Sequence, residues 1–183
     1  MKKRLFIAVT IPDEHPIIDS INVMKKGLLD APIRWVEPEK LHLTFCFLGN
    51  VLEPDILKIK PILQRVSSEM SKFSVIFNQI GAFPDLSKPK VIWFGFNHSQ
   101  TLVDLVQKLR MELAELNLPL ESDQFQAHLT IGRTTSPITD LIERIKKFHI
   151  RPVGTIAVDH LELFESKLSK EGSRYISLAK YSF

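Results

Sequence analysis

One cysteine, Cys46, stands in the whole 183-residue chain, which excludes an internal disulfide. A lone thiol with no Cys/His cluster also argues against a structural zinc site and fits a reducing, cytoplasmic setting. No apolar stretch approaches the roughly 20 residues of a membrane-spanning helix, so no membrane partner is expected. Residues 1–11 begin Met1-Lys2-Lys3-Arg4 and run on apolar, as a secretion signal would. They lack a small-residue cleavage site and break at Pro12-Asp13-Glu14, so they read as a strand instead. Low complexity and disorder are absent as well. Excess charge is slight: 24 Lys and Arg against 21 Asp and Glu give +3 and a pI near 9.0, a weak lean toward polyanionic partners.

Apolar residues are plentiful: at 44%, with 9% aromatic, they suffice for one compact domain or two small lobes. Residues 5–10 predict a buried strand, and Pro12-Asp13 opens a helix with Ile17, Ile21, Met24 and Leu28 at helical spacing. A short strand over 33–36 and a turn over 37–40 deliver a strand that starts at His42 and ends at Gly49-Asn50. The next helix begins near Pro54, carries Ile56, Ile59, Leu63, Val66 and Met70 inward, and should bend at Pro61. Phe73, Val75 and Phe77 mark a further strand.

After a loop over 81–89 the pattern restarts. Residues 91–96 form a strand, Ser99 caps a helix with Leu102, Val106, Leu109, Leu113 and Leu116, and a strand follows at His128. Ser136-Pro137 reads as the cap and first turn of a helix with Ile138, Leu141, Ile142 and Ile145. Strands over 156–164 and 175–181 follow, with a turn at Gly172. The order is strand, helix, two strands, helix, strand, written twice, with one strand added.

The repeat centres on His42-Leu43-Thr44-Phe45 and His128-Leu129-Thr130-Ile131. With eight threonines and six histidines in the chain, two His-x-Thr pairs arise by accident at roughly 3 per cent. The spacing from Leu5 to His42 equals that from Val91 to His128, and the two histidines are 86 residues apart. This predicts an α+β fold built from a duplicated βαββαβ unit, residues 4–80 and 90–164, plus a C-terminal strand. Two pseudo-symmetric lobes, each a mainly antiparallel sheet backed by helices, enclose a central cleft, and residues 1–183 form one bilobal domain.

Alternation along a strand points His42 and Thr44 one way and Leu43, Phe45 and Phe47 the other. Two imidazoles and two hydroxyls on one cleft suit phosphodiester cleavage. One histidine deprotonates the attacking water and the other protonates the leaving oxygen, since a side chain with pKa near 6.5 serves both roles near neutrality. Thr44 and Thr130 would hydrogen-bond the non-bridging phosphate oxygens as charge grows there. No metal or other cofactor is needed, and a zinc site would want ligands that neither histidine has beside it, Cys46 at i+4 apart.

The chain resembles the 2H phosphoesterases, in particular their LigT-like branch, the RNA 2′,3′-cyclic phosphodiesterases also described as 2′-5′ RNA ligases. The similar stretches are Arg4-Leu5-Phe6-Ile7-Ala8, Arg34-Trp35-Val36 through His42-Leu43-Thr44 to Phe47-Leu48-Gly49, Gly81-Ala82-Phe83-Pro84, the second motif with Gly132-Arg133, and Leu163-Phe164-Glu165-Ser166-Lys167-Leu168. The resemblance implies hydrolysis of a terminal 2′,3′-cyclic phosphate on RNA to a 2′-phosphate, with reverse 2′-5′ ligation a further activity of the branch. It implies His42 as proton donor and His128 as proton acceptor, an assignment that the residues alone leave open. Arg133 matches the family's phosphate-clamping arginine, although ideal alternation puts it opposite His128, so a bend at Gly132 is required. Ala127 departs from the proline frequent before the second histidine.

The expected partner is therefore RNA with a 2′,3′-cyclic phosphate end or a small cyclic nucleotide, handled by a cytoplasmic monomer. Two rivals stand beside it: a 2H activity on an ADP-ribose cyclic phosphate, and an RNA-end-binding module without turnover. Intact His42, Thr44, His128 and Thr130 argue against the second. Cys46 shares the parity of His42 but suits a buried thiol better, and Trp35 and Trp93 read as core ahead of base-stacking. His15 and His98 read as polar groups at helix starts, and His149 and His160 as surface or satisfied core groups. Lys40, Lys88, Lys90, Lys167, Lys170 and Arg174 are loop cations with either a nucleic-acid role or none.

Overall fold

The structure, a computed structural model, describes residues 1–96, 99–118, 120, 127–146, 154–169 and 172–183. His98, His149, Lys170 and the side chain of Ile142 lie outside the described residues.

Strand β1 (Lys2–Thr10) buries Leu5 to Val9 without interruption, as a central strand covered on both faces does. Helix α1 (Ile17–Gly27) starts later than Pro12-Asp13 suggests. The chain first turns at Pro12, whose carbonyl accepts the His15 N–H at 3.0 Å. The His15 ring then caps the helix, Nδ1 accepting the Ile17 N–H at 3.1 Å. Strand β2 (Ile33–Trp35) and a single 3-10 turn, Pro38–Lys40, lead into β3 (His42–Leu52). Helix α2 (Glu53–Ser68) runs on through Pro61, followed by β4 (Phe73–Phe83) and β5 (Val91–Phe96).

Helix α3 (Gln100–Ala114) has Ser99 at its cap position, but only the Ser99 carbonyl is used, accepting the Val103 N–H at 3.1 Å. Strand β6 (Leu129–Thr134) opens one residue after His128. Helix α4 (Leu141–Lys146) begins beyond Ser136-Pro137, with the Asp140 carbonyl accepting the Arg144 N–H instead. The apolar run over 156–164 is two strands: β7 (Gly154–Val158) and β8 (His160–Ser169) part at Asp159. Apolar residues on both sides of Asp159 hide that break. Strand β9 (Gly172–Ser182) completes a hairpin at Gly172, whose φ of +122° favours glycine.

All pairings are antiparallel, and the sheet order is β7-β4-β5-β6-β3-β1-β8-β9, with β2 on β6. The sheet thus falls into two halves, β7-β4-β5-β6 with β2 and β3-β1-β8-β9, that meet where β3 lies beside β6. The halves exchange strands. β4, from the first repeat, sits beside β5, while β8, from the second, sits beside β1 and carries the added strand β9 on its outer edge.

One face of this curled sheet packs on helices. Leu43, Phe45, Leu129 and Ile131 join Ile59 and Leu63 of α2 and Leu102 and Leu109 of α3 in one continuous core. Each such side chain contributes about 1.5–3 kcal/mol by leaving water. Helices α2 and α3 pack together and are bridged by Arg65–Glu112 and Lys108–Glu69 ion pairs. Among the described residues no helix is long and apolar enough to cross a membrane. The other face of the sheet is left for a site.

Candidate active site

The two halves of the sheet join through a single register pair, Leu43 with Leu129. Antiparallel pairing about that point sets His42 across from Thr130 and Thr44 across from His128, all on the face turned away from the leucines. The four side chains accordingly line one cavity of about 240 Å³.

Each motif strand carries a bulge immediately after its threonine. In β3, Ile7 pairs with Cys46 and Ala8 with Thr44, which leaves Phe45 as the extra residue. In β6, Ile92 pairs with Gly132 and Trp93 with Thr130, which leaves Ile131 extra. A bulge reverses the alternation beyond it. Phe47 is therefore on the cavity face, 39% exposed, where plain alternation puts it on the core side, and Cys46 is buried in the core as the sequence suggests, although it shares the parity of His42. Arg133 also reaches the cavity, and the extra residue that brings it round is Ile131, next to the glycine that the sequence singles out.

Phe45 and Ile131, and likewise Phe47 and Arg133, stand 86 residues apart, as the two histidines do. The strands beside them keep a different interval. Phe6 pairs with Phe47 and Val91 with Arg133, so Val91 corresponds to Phe6, one residue on from the Leu5 that the spacing suggests.

His42 is partly buried, its ring 5.0 Å from that of Phe6 and 5.0 Å, edge-on, from that of Tyr175. Nδ1 donates to the Lys40 carbonyl at 2.7 Å, which leaves Nε2 as the nitrogen free to exchange a proton in the cavity. Burial, chiefly, holds the His42 pKa below the ordinary imidazole value, and the charges of His128 and Arg133 add to the effect. The Lys40 carbonyl opposes them by favouring the cation. His128 packs edge-on against Phe83 at 4.8 Å, with Trp93 6.3 Å away.

The remaining wall comes from Arg4, Leu5, Val36, Lys40, Ser166 and Ser173. Among the described residues the lining includes Arg4, Lys40 and Arg133 as cations and no carboxylate. Such a site suits an anion. No three of His, Cys, Asp and Glu come together as metal ligands would among the described residues.

Other residues fall elsewhere. Burial pushes the Cys46 thiol up to about 11, so it is inert. Trp93 lies between Gly81 and Gly95, where any Cβ would strike its ring, and its buried Nε1 has no hydrogen-bond partner among the described residues. Trp35 packs on the main core. His160 is buried, its Nδ1 bonded to Asp159 at 2.6 Å. Lys167 faces Glu165 at 3.8 Å, and Lys88, Lys90 and Arg174 are exposed outside the cavity lining. Four wall residues escaped the sequence reading: Arg4, Phe47, Phe83 and Tyr175. They come from β1, β3, β4 and β9, and only the strand pairing shows that these strands bring them to one cavity.

A family model described as LigT like Phosphoesterase matches residues 11–93 and 96–175. The RNA 2′,3′-cyclic phosphodiesterase of Archaeoglobus fulgidus is 31% identical over 176 residues, 96% of this chain and 97% of its own. The crystal structure of TT0787 of Thermus thermophilus superposes with a TM-score of 0.80 at 26% identity, covering 98% of this chain and 97% of its own. Escherichia coli LigT complexed with 3′-AMP shares the fold, with a TM-score of 0.79 at 24% identity over 100% of this chain and 99% of its own.

Proposed function

The chain belongs to the LigT-like phosphoesterase family, and from that premise we propose that it opens the 2′,3′-cyclic phosphate at an RNA end with water, leaving a 2′-phosphate. One observation carries the reading: two His-x-Thr motifs face a single cavity whose described lining holds three cations and no carboxylate. Residues 1–183 act as one bilobal catalytic unit in this reading.

The phosphate lies between the two histidines. His128 takes a proton from water as the oxygen attacks phosphorus in line with the 3′ oxygen. The new P–O bond forms as the P–O3′ bond breaks, and Nε2 of His42 delivers its proton to the departing O3′. The product is a 2′-phosphate beside a free 3′ hydroxyl. His42 ends neutral and His128 protonated, so a proton returns through solvent before the next turnover. Thr44 and Thr130 donate to the non-bridging oxygens, and Arg133 presents a planar, permanently charged fork to the same group. With a ribose 5′ hydroxyl in place of water as the nucleophile, the same steps form a 2′-5′ linkage as the P–O3′ bond breaks.

The anion also answers a difficulty in the electrostatics. His42 is held toward its neutral form in the free protein, whereas a donor must start protonated. A bound phosphate raises the pKa of the His42 ring by favouring its cation, so the substrate itself charges its acid.

The test uses purified protein with EDTA and a short RNA ending in 2′,3′-cyclic phosphate, alongside His42→Ala and His128→Ala. Formation of a 2′-phosphate end by the wild type, with each variant slowed at least about a hundredfold, is the expected outcome. A 3′-phosphate product, or turnover indifferent to both substitutions, overturns the reading.

A further inference from the structure

Two arginines stand directly opposite each other at the edge of the cavity. Strand β2 takes over the side of β6 where β3 leaves it. β3 meets β6 at Leu43–Leu129, and β2 follows with Trp35 on Gly132, Arg34 on Arg133 and Ile33 on Thr134. Directly opposed residues of an antiparallel pair project from the same face of the sheet. Arg133 lines the cavity, so Arg34 emerges on the cavity face as well. The rest of β2 agrees: Ile33 and Trp35 pack on the main core, whereas Val36, two residues on from Arg34, lines the cavity. Arg34 itself is exposed and outside that lining, which places it on the rim.

Side chains so paired start about 4.5–5.5 Å apart at Cβ, and like charges there destabilise a sheet. No carboxylate relieves them. Among the described residues neither guanidinium has an ion-pair partner, and the described lining of the cavity holds no acid. Elsewhere the chain does match arginines with acids, Arg65 with Glu112 and Arg144 with Asp30 and Asp140. A cation kept beside another cation, at the border of an anion site, is accounted for by an anion that the free protein lacks.

A single phosphate inside the cavity is served by Arg133 and leaves the outer guanidinium without a use. An RNA end supplies a second anion, the phosphodiester that joins its terminal nucleotide to the chain, one nucleotide away from the reacting phosphorus. A free cyclic nucleotide has none. Resting on the proposed reaction, we propose that Arg34 binds the phosphodiester next to the cyclic end, so that the rim selects RNA chains over mononucleotides. The planar fork of a guanidinium suits the two non-bridging oxygens of such a diester, and the bound diester screens Arg34 from Arg133.

Two substrates with the same reacting end provide the test: adenosine 2′,3′-cyclic phosphate, and the dinucleotide that adds a second adenosine through one 3′-5′ phosphodiester. For each, kcat/KM is measured across a range of salt. The wild type should prefer the dinucleotide, and that activity should fall more steeply with salt, the two logarithmic slopes differing by about 0.7 for the one extra phosphate contact. Arg34→Gln should shrink the preference about tenfold, chiefly through KM, and bring the slopes together. Arg34→Lys should keep the slope difference and recover part of the preference. Without substrate and at low salt, Arg34→Gln should unfold at a higher urea concentration than the wild type, because the repulsion is gone. Equal losses on both substrates, or a preference and slopes that do not change, overturn the subsite, and so does a wild type with no preference. A lower urea midpoint for Arg34→Gln makes the pair a structural one and overturns it too. A wild type that opens neither substrate overturns the parent reaction instead.

Discussion

Leu43 pairs with Leu129 at the centre of the sheet, and the two residues hold the same place in their motifs. A residue paired with its own duplicate marks a pseudo-two-fold axis, so the cavity above the pair receives every motif side chain twice. The duplication supplies the site's symmetry, and the axis runs between the two imidazoles.

The threonines provide the first test of that arrangement. Thr44 and Thr130 both line the cavity, and each hydroxyl is to donate to a phosphate oxygen whose charge rises in the transition state. Thr44→Val and Thr130→Val, which remove the hydroxyl but keep the branched shape, should each lower kcat about a hundredfold. Steady-state kinetics with circular dichroism to verify folding would measure it. A variant with full activity would remove that threonine from the reaction.

The pH profile tests His42. Its pKa in the free protein lies below the ordinary imidazole value, with burial the main cause. A donor must be protonated, so kcat/KM should fall as pH rises through that depressed pKa, giving an alkaline limb that begins below about pH 6.5. Tyr175→Ala opens one wall of the ring to water and should move the limb to higher pH, as an NMR titration of His42 would register directly. The shift also bears on stability. Since the unfolded chain binds the proton more readily, stability is lost as pH drops from about 6.5 through the folded pKa, and His42→Gln should flatten that slope.

Arg133 carries two separable effects. It is the arginine beside the second motif, and its charge is one of the causes that lower the His42 pKa. Arg133→Ala should therefore raise KM by about tenfold to a hundredfold and at the same time move the alkaline limb upward. Arg133→Lys restores the charge without the planar fork, so it should return the limb to its place while leaving much of the KM defect. Parallel recovery of both would mean that charge alone matters.

How much of this was legible in the residues depends on where alternation survives. His42, Thr44, His128 and Thr130 follow simple period-two reasoning, and their joint cavity followed from the duplication. The bulges broke that reasoning. From Phe45 to Leu48 every residue is apolar, so nothing in the pattern reveals that Phe45 and Cys46 both turn inward and that Phe47 does not. The division between β7 and β8 was hidden for the same reason, because Ile156, Val158, Leu161 and Leu163 suit one strand as well as two. The exchange of β4 and β8 between the halves of the sheet is a matter of tertiary pairing, on which local pattern is silent.

Trp93 offers a test of packing apart from chemistry. Its ring lies against the backbone of Gly81, its direct partner on β4, where a Cβ would come within 2.2 Å of the indole. No side chain fits there unless the ring moves, and Gly95 on the ring's other flank, with a Cβ position 2.6 Å away, closes the alternative. Gly81→Ala should therefore destabilise the fold by about 1–3 kcal/mol, read from chemical denaturation, and change the tryptophan emission, since the chain has only two tryptophans. The Trp93 ring is also 6.3 Å from that of His128, so displacement of the indole should disturb the base more than the acid. If His128 is the base, as proposed, the acid limb of the pH profile should then move while the alkaline limb stays. A Gly81→Ala variant as stable as the wild type would show that the indole has room that its contacts deny.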